Sequence, residues 1–443
     1  MSVAEERTAE PRWFGQPPGL TILFLTEMWE KFSYYGMRAL LVLYMTAGPL
    51  KMAQAKSSEI YGHYILAAYL TPFLGALVAD RLIGRRKAVI FGGLVMAAGH
   101  FMMAFPSLFY LALATIAFGN GFFLPNLPSQ VRGLYRPGDP RLSSAYSIYY
   151  LGINLGAVLA GVVCGVLQQV YGWHYGFGAA GVGMTLGVLI YALGGRWLPK
   201  ESEVRAQADR SGRVSPSKPG QIVKRLLLLA GVVLVVIIFR GAYEQLGNTI
   251  VLWSDHDVSR PVLFGWEIPA PVFQSLNPAV VMLVTPLLVW WWIGLAKRGR
   301  EPSLIMKMTI GAVITALSFL MIAAVAWFDA KAGAKTSWLW LAGFMFLMTL
   351  GELWLLPVGL ALFGRIAPER FGSLTIALWF GAIGLGSELA GRLGTYWSVL
   401  SHAEFFVLMA GCALLAGVLL LIFDRPVKRT VEGGEADLRA LET

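Results

Sequence analysis

The chain contains repeated stretches of about 20 predominantly apolar residues, the length that one helix needs to cross a bilayer. Apolar residues make up 56% of the 443 residues and charged residues 14%, whereas soluble domains contain about a quarter charged residues. The apolar runs lie at 20–48, 59–79, 88–105, 108–125, 144–170, 177–198, 225–252, 271–295, 303–327, 337–363, 374–393 and 403–423. We therefore predict an all-α polytopic membrane protein with twelve transmembrane helices.

Positive charge is concentrated in alternate connections between these runs, and the formal net charge is +10. The basic clusters are Arg81, Arg85, Arg86 and Lys87; Arg132, Arg136 and Arg141; Arg205, Arg210, Arg213, Lys218, Lys224 and Arg225; Lys297, Arg298 and Arg300; and Arg425, Lys428 and Arg429. Cytoplasmic loops carry an excess of Lys and Arg. We expect a multi-pass protein of the cytoplasmic (inner) membrane with both termini in the cytoplasm and no nucleic-acid partner.

One long polar break, rich in Ser, Pro, Gly and mixed charge, occupies 199–221 and separates six runs from six. This composition is typical of a linker. We predict an N-terminal six-helix bundle at 1–198, a cytoplasmic linker at 199–222, a C-terminal six-helix bundle at 223–424 and a cytoplasmic tail at 425–443. The polar tail is expected to be disordered.

The residue types needed for enzymatic or metal chemistry are not grouped in this sequence. Cys164 and Cys412 both fall in predicted spans, which argues against a disulfide framework or a thiolate metal site. The five histidines are scattered without metal-type spacing: His63, His100, His174, His256 and His402. A membrane-embedded enzyme or a non-transporting receptor is therefore the weakest alternative. We predict no catalytic residue, no metal site and no cofactor.

The first apolar run carries a stripe of charged and aromatic residues. At about 100° per helical residue, six side chains fall within roughly 140° of one another. They are Glu27, Glu30, Lys31, Tyr34, Tyr35 and Arg38. A charge in mid-membrane costs about 2.5–3.5 kcal/mol on insertion scales, so such residues usually face a cavity and mark a substrate or proton path.

Residues 27–36 resemble the E-x-x-E-R/K-F-x-Y-Y-G signature of the proton-dependent oligopeptide transporter (POT/PTR) family, a branch of the major facilitator superfamily. Further family-like stretches follow in family order: 69–72, 75–86, 119–126, 146–157, 273–278, 351–353 and 379–380. The resemblance implies two six-helix bundles that import di- and tripeptides together with protons by alternating access. It also implies that the partners are a small peptide, protons and the lipid bilayer. We expect a functional monomer.

The resemblance assigns roles to individual residues. The proton-coupling residues would be Glu27, Glu30, Lys31 and Glu244. The substrate-binding residues would be Lys31, Tyr34, Tyr35, Tyr69, Asn154, Asn277, Glu352 and Trp379. Hydroxyl and amide groups suit a peptide backbone because they donate and accept hydrogen bonds, and the Glu352 carboxylate would attract the ligand's amino group. Asp80 and Arg85, in a superfamily loop motif, would form a gating latch.

Three details depart from, or add to, the family pattern. Leu124 stands where relatives usually have a lysine, so Lys31, Arg38 or Arg240 would have to replace its charge. Arg240 precedes Glu244 by four positions, a spacing at which helical side chains can pair. His63 is one position away from the histidine of animal relatives, so its proton role is not transferred.

The loss of the lysine at 124 keeps a second function open. The family also includes carriers of nitrate, drugs and other organic anions. A carrier of such a non-peptide molecule would have the same fold and the same proton coupling. Static helix packing also remains open for each polar residue singled out on the spans.

Overall fold

The computed structural model describes residues 13–136, 138–199, 219–263, 265–366 and 372–442, and these are mostly helical. Twelve long helices follow one another: α1 Pro18–Thr46, α2 Gln54–Val78, α3 Arg85–Met102, α4 Phe109–Phe123, α5 Arg141–Tyr171, α6 Trp173–Leu193, α7 Pro219–Tyr243, α8 Leu276–Lys297, α9 Leu304–Ala332, α10 Trp338–Ile366, α11 Gly372–Gly394 and α12 His402–Glu442. Each predicted apolar run corresponds to one of them. Most of the predicted linker, 199–222, lies outside the described residues.

Short elements extend or join these helices. A π-helical turn, Ala79–Ile83, continues α2 and ends at Gly84, whose φ of 79° favours glycine. A 3-10 turn, Glu244–Gly247, and a short helix, Thr249–His256, extend α7. Four two-residue strands form two small pairs: β1 Val258–Ser259 is parallel to β4 Thr336–Ser337, and β2 Val262–Leu263 is antiparallel to β3 Trp266–Glu267.

Nine helical segments in the described part of the chain are long and apolar enough to cross a membrane. The helix α1 is not among them, because Glu30, Lys31 and Arg38 interrupt its apolar sequence. The helix α3 begins with Arg85, Arg86 and Lys87 and is only 18 residues long. The helices α3 and α11 are also not among the nine segments, and of these three helices α1 carries the most charged residues.

The predicted disorder of the C-terminal tail was wrong. The helix α12 continues past Arg425 to Glu442. Residues 435–442 are rich in Ala, Leu, Glu and Arg, which are among the best helix formers. Low hydrophobicity predicted that the tail would not form a core, but it does not prevent a helix from continuing.

The described residues belong to two compact units. Unit 1 comprises Met1–Met52, Ala67–Arg213 and Val262–Ala279, and unit 2 comprises Ala53–Leu66, Val214–Pro261 and Val280–Thr443. The helix α2 therefore contributes its first part to unit 2 and its remainder to unit 1. Tyr61 and His63, in the first part of α2, thus belong to unit 2.

In unit 1, α1 packs against α5 and α6, and α3 packs against α4 and α6. An apolar core forms at one end of these helices, with Leu20, Met96, Phe123, Met184 and Tyr191 among its fully or almost fully buried members. Burying a large apolar side chain contributes about 1.5–3 kcal/mol. This core fixes the start of α1, immediately before its charged residues.

The residues before α1 are hydrogen-bonded to the connection that precedes α5 and to the first turn of α5. Gln16 Nε2 donates to Ser144 Oγ at 3.0 Å, and the Tyr135 hydroxyl donates to Gln16 Oε1 at 2.8 Å. Hydrogen bonds from the side chain and backbone of Arg141 hold the pKa of Asp139 below its ordinary value. Burial raises the pKa of Tyr135, so its hydroxyl remains a donor. This polar cluster sets the position at which α1 begins.

In unit 2, α9 packs against α10 and α12, and α7 packs against α11 and α12. A smaller apolar cluster contains Val281, Leu288, Leu353 and Trp354, with Trp292 in T-shaped contact with Trp354. Buried polar residues of this unit include Arg240 near the end of α7 and Glu244 and Gln245 in the 3-10 turn that follows it.

Candidate functional site

Two acids and one base of α1 form a buried cluster in unit 1. Lys31 Nζ lies 2.6 Å from Glu30 Oε2 and 3.4 Å from Glu27 Oε1. The side chains of Glu27 and Glu30 are 3% and 1% exposed, and that of Lys31 is 13% exposed. One ammonium thus serves two carboxylates, and the cluster carries an excess negative charge when both acids are ionised.

A tyrosine from α5 completes this cluster. The Tyr149 hydroxyl is 2.6 Å from Glu27 Oε2, within the range of about 2.5–2.7 Å for a hydroxyl that donates to a carboxylate. The approach of the two helices is possible because α5 has a glycine at 156. A Cβ at this position would overlap the carbonyl oxygen of Met28 on α1. The pattern of small residues on α5 therefore positions the tyrosine.

The aromatic residues that follow on α1 continue the charged stripe. The rings of Tyr34 and Tyr35 are in T-shaped contact, with centroids 5.2 Å apart. Lys31 Nζ is 5.9 Å from the centre of the Tyr34 ring, and the Arg38 guanidinium is 5.9 Å from that of Tyr35. The structure therefore brings the predicted stripe residues of α1 into one continuous set of contacts.

The other substrate-binding residues predicted in unit 1 lie on different helices. Tyr69 on α2 and Asn277 on α8 are both half-buried. Asn154 on α5 is 6% exposed, and its Nδ2 donates to the backbone oxygen of Tyr150, one turn earlier. Part of the hydrogen-bonding capacity of Asn154 is thus used within its own helix.

The predicted latch residues are in contact within unit 1. Arg85 Nε donates to Asp80 Oδ1 at 3.1 Å, across the positive-φ residue Gly84. The Asp80 side chain is 55% exposed. An ion pair this exposed contributes about 0–1 kcal/mol, which is weak enough for a contact that opens and closes.

Glu244 lies in a buried polar cluster of unit 2. Arg240 pairs with Glu244 Oε1 one helical turn away, as its spacing predicted, and the Tyr61 hydroxyl donates to Glu244 Oε2 at 2.9 Å. Glu244 is 1% exposed and Arg240 is 6% exposed. Arg240 and Tyr61 thus each contact one oxygen of the Glu244 carboxylate, and the positive charge of Arg240 compensates its negative charge.

A second carboxylate of unit 2 contacts the same helix. Tyr243 on α7 forms a side-chain hydrogen bond with Glu352 on α10. The Arg240 guanidinium lies 5.0 Å from the centre of the Tyr243 ring. Arg240 and Tyr243, at the end of α7, therefore connect Glu244 with Glu352.

Trp379 is part of the helix packing of unit 2. It is 5% exposed, and its ring centre lies 5.0 Å from that of Phe363 in a T-shaped contact. A Cβ at Gly359 would lie 2.8 Å from the Trp379 ring. These contacts fix the orientation of the indole.

His63 and Glu388 form a contact that the sequence did not predict. His63 Nδ1 lies 2.6 Å from Glu388 Oε2, and Arg392 Nε donates to Glu388 Oε1 at 3.1 Å. The His63 side chain is 61% exposed, whereas that of Glu388 is 13% exposed. The contact joins the start of α2 to α11 within unit 2.

Sequence reasoning missed Tyr149 and Tyr61, the two hydroxyl donors to the buried acids. Tyr149 falls inside a family-like stretch, 146–157, but the family resemblance assigns a role only to Asn154 in it. Asn154 lies about 140° away around the helix. Two adjacent tyrosines at 149 and 150 in an otherwise apolar span were an available signal. For Tyr61 the spacing gave no signal, because its partner is 183 residues away.

The long apolar helices with buried acids and bases in their interior define a polytopic membrane protein of the transporter class. The model of the POT family matches residues 86–216 and 205–406. The chain belongs to this family.

Curated relatives resemble the chain over almost its whole length. It is 31% identical to the peptide transporter YePEPT of Yersinia enterocolitica, covering 97% of this chain and 98% of the relative. It is 32% identical to the uncharacterized transporter YclF of Bacillus subtilis, covering 95% and 96%. Identity to a di-/tripeptide transporter of Lactococcus lactis is 28%, covering 94% and 97%.

Solved structures agree with this relationship. A crystal structure of a peptide transporter POT in complex with sulfate has a TM-score of 0.85 at 29% identity, covering 96% of this chain and 99% of that chain. A mutant described in the same terms, in complex with alafosfalin, also has a TM-score of 0.85 at 29% identity, covering 97% and 98%. The predicted fold, a facilitator-type bundle of the POT family, is therefore confirmed.

Proposed function

We propose that this chain is a proton-coupled symporter that imports di- and tripeptides by alternating access. The observation that carries the proposal is the buried cluster of Glu27, Glu30 and Lys31 in a chain of the POT family. Two acids and one base become electrically neutral by taking up one proton. A cluster that changes its charge by one proton inside an apolar helix bundle suits coupling to a proton gradient.

Peptide as the substrate is supported by the relatives. The Yersinia relative is named a peptide transporter and the Lactococcus relative a di-/tripeptide transporter. The chain covers 98% of the Yersinia relative and 97% of the Lactococcus relative. We propose that the protein acts by binding and release, without covalent chemistry.

Residue roles in this proposal follow the chemistry of each group. Glu27, Glu30, Lys31 and Glu244 take part in proton coupling. The ligand is bound by Lys31 at its carboxylate, by Glu352 at its amino group, and by tyrosine and amide side chains at its backbone: Tyr34, Tyr35, Tyr69, Asn154 and Asn277. Trp379 would supply an apolar wall, and Asp80 with Arg85 would gate the cycle.

The proposed setting is the cytoplasmic (inner) membrane, with both termini in the cytoplasm and a monomer as the working form. The division at 199–222 between an N-terminal and a C-terminal bundle belongs to the same proposal. The membrane potential then supplies about 2.3 kcal/mol per proton per 100 mV, in addition to the pH difference.

A proton-coupled carrier of a non-peptide molecule is the second candidate. It is favoured by Leu124, which is half-buried at the end of α4 and supplies no charge at that position. A ligand carboxylate would lose an anchor there. Nitrate, a drug or another organic anion would be its substrate.

Uptake of labelled dialanine into liposomes that contain the purified protein tests the two candidates. The liposomes have an inward proton gradient and a negative interior, and an ionophore provides the control. Accumulation that collapses with the ionophore supports the symporter. Exchange without accumulation would show peptide binding without coupling. An absence of both, together with uptake of a non-peptide anion, would support the second candidate.

A further inference from the structure

Glu27 and Glu30 share Lys31 but differ in their other partners. Glu27 Oε2 accepts a hydrogen bond from the Tyr149 hydroxyl at 2.6 Å, and Glu27 Oε1 faces Lys31 at 3.4 Å. Glu30 forms an ion pair with Lys31, but neither of its oxygens receives a well-aligned hydrogen bond from the described residues. The Lys31 ammonium thus reaches both acids, and lies nearer to Glu30, whereas the Tyr149 hydroxyl reaches only Glu27.

The difference matters because a single proton neutralises the cluster and can bind to either acid. The two carboxylates and one ammonium carry one excess negative charge in a buried site, which one proton removes. A hydrogen bond donated to a carboxylate stabilises its ionised form. The two acids repel each other only when both are ionised, and protonating either one removes this repulsion equally. Which of the two binds the proton therefore depends on their other partners.

The surroundings of the cluster leave Tyr149 as the element that distinguishes the acids. Beyond Glu27, Glu30 and Lys31, the charged and titratable groups that continue the stripe of α1 are Tyr34, Tyr35 and Arg38, and α5 presents Tyr149 with Tyr146 beside it. The helix α6, which also packs against α1, faces it with Gly183 and Gly187. These glycines contact Phe32 and Trp29 and supply no donor.

We propose that Tyr149 is a positioning residue that holds Glu27 in its anionic form and thereby directs the transported proton to Glu30. When Glu30 is protonated, Glu27 remains paired with Lys31 and Tyr149, and the cluster is neutral. When the proton leaves Glu30, Lys31 is shared between the two carboxylates again. This assignment rests on the proposed function for its role in transport, but not for the location of the proton.

The location is tested by infrared difference spectroscopy of the purified protein, which detects the C=O band of protonated carboxyl groups without any transport. Glu30→Gln leaves Glu27 as the only acid of the cluster, and Glu27→Gln leaves Glu30. Each variant is titrated through neutral pH, and the spectrum of the double glutamine variant is subtracted. We expect Glu30 alone to be protonated at a higher pH than Glu27 alone. The opposite order, or equal midpoints, would overturn the proposal.

The contribution of Tyr149 is tested in the same two backgrounds. Tyr149→Phe removes only the hydroxyl, and in the Glu30→Gln background it should raise the protonation midpoint of Glu27 by about one pH unit. It should leave the midpoint of Glu30 unchanged in the Glu27→Gln background. Tyr171→Phe, at the exposed end of α5, is the matched control and should move neither midpoint.

If Tyr149→Phe moved the protonation midpoints of Glu27 and Glu30 equally, or moved neither, the proposed role of Tyr149 would be excluded. If Tyr149→Phe does not fold, the order of the two midpoints still decides where the proton resides. A protein that shows the expected midpoints but takes up no dialanine would retain the proton assignment while the peptide function fails. The two failures are therefore distinguishable.

Discussion

The hydroxyl of Tyr61 donates a 2.9 Å hydrogen bond to Glu244 Oε2, and both side chains are almost completely buried, at 0% and 1% exposure. Tyr61 is in the first part of α2 and Glu244 follows the end of α7, so the bond joins two distant parts of the chain within unit 2. Together with Arg240 it compensates a carboxylate in an apolar environment. The same arrangement, a tyrosine hydroxyl on a buried acid, occurs in unit 1 between Tyr149 and Glu27.

Tyr61→Phe should destabilise the protein, because Glu244 Oε2 loses a donor while the aromatic ring remains. A hydrogen bond to a charged group contributes about 1.5–3 kcal/mol. Thermal unfolding in detergent, followed by intrinsic fluorescence, should show a lower midpoint than the wild type. Tyr396→Phe, at a half-exposed position of unit 2, serves as the control. An unchanged midpoint for Tyr61→Phe would show that the bond does not contribute to stability.

Arg240→Met should be more damaging than the simultaneous replacement of both partners. Removing one member of a buried ion pair costs about 3–5 kcal/mol, because the remaining charge is uncompensated. In the double variant with Glu244→Gln no such charge remains. The unfolding midpoint of the double variant should therefore lie above that of Arg240→Met alone. A double variant that is less stable than Arg240→Met would contradict the pairing.

Gly156→Ala should disturb the contact between α1 and α5. A Cβ at this position would overlap the Met28 carbonyl oxygen and lie 3.0 Å from Phe32 N, and backbone atoms cannot move aside easily. We expect the free energy of unfolding to fall by about 1–3 kcal/mol. This would be measured as a lower unfolding midpoint and a smaller fraction of monodisperse protein. Gly178→Ala on α6 is the matched control, because its Cβ would meet no atom within 4 Å.

Glu352→Gln should weaken the binding of dialanine without affecting a peptide whose amino group is acetylated. The carboxylate is proposed to bind the ammonium group, and a charge-assisted contact of about 1.5–3 kcal/mol corresponds to roughly 10–100-fold in affinity. Competition against labelled dialanine in an exchange assay measures both ligands. An equal loss for the two would indicate a structural role for Glu352.

Asp139→Asn should reduce stability at neutral pH but not in acid. Hydrogen bonds from the side chain and backbone of Arg141 lower the pKa of Asp139 in the folded protein. A group with a depressed folded pKa stabilises the fold above its unfolded pKa of about 3.9, and this contribution is lost as pH falls through the folded pKa. The difference in unfolding midpoint between wild type and variant should therefore shrink below about pH 4. A constant difference would indicate a cause other than this ionisation.

The number and order of the helices could be predicted from the sequence, because a span requires about 20 apolar residues whatever surrounds it. The family resemblance singled out the acids on α1 and α10, and Glu244 just after α7. The i,i+4 spacing of Arg240 and Glu244 predicted their ion pair, because such a contact depends only on helical geometry. The end of α12 was not predicted, because low hydrophobicity does not distinguish a polar helix from a disordered tail.

The amino-acid sequence by itself determined which helices form and which of them carry charge. Only the tertiary structure decided which hydroxyl groups of distant helices reach those charges, namely Tyr149 on Glu27 and Tyr61 on Glu244. Glycine at 156 allows α5 to approach α1, and this packing brings the Tyr149 hydroxyl onto Glu27 and not onto Glu30. Lys31 reaches both acids from their own helix, at 3.4 Å for Glu27 and 2.6 Å for Glu30, and only the packing of α5 brings the Tyr149 hydroxyl to one of them.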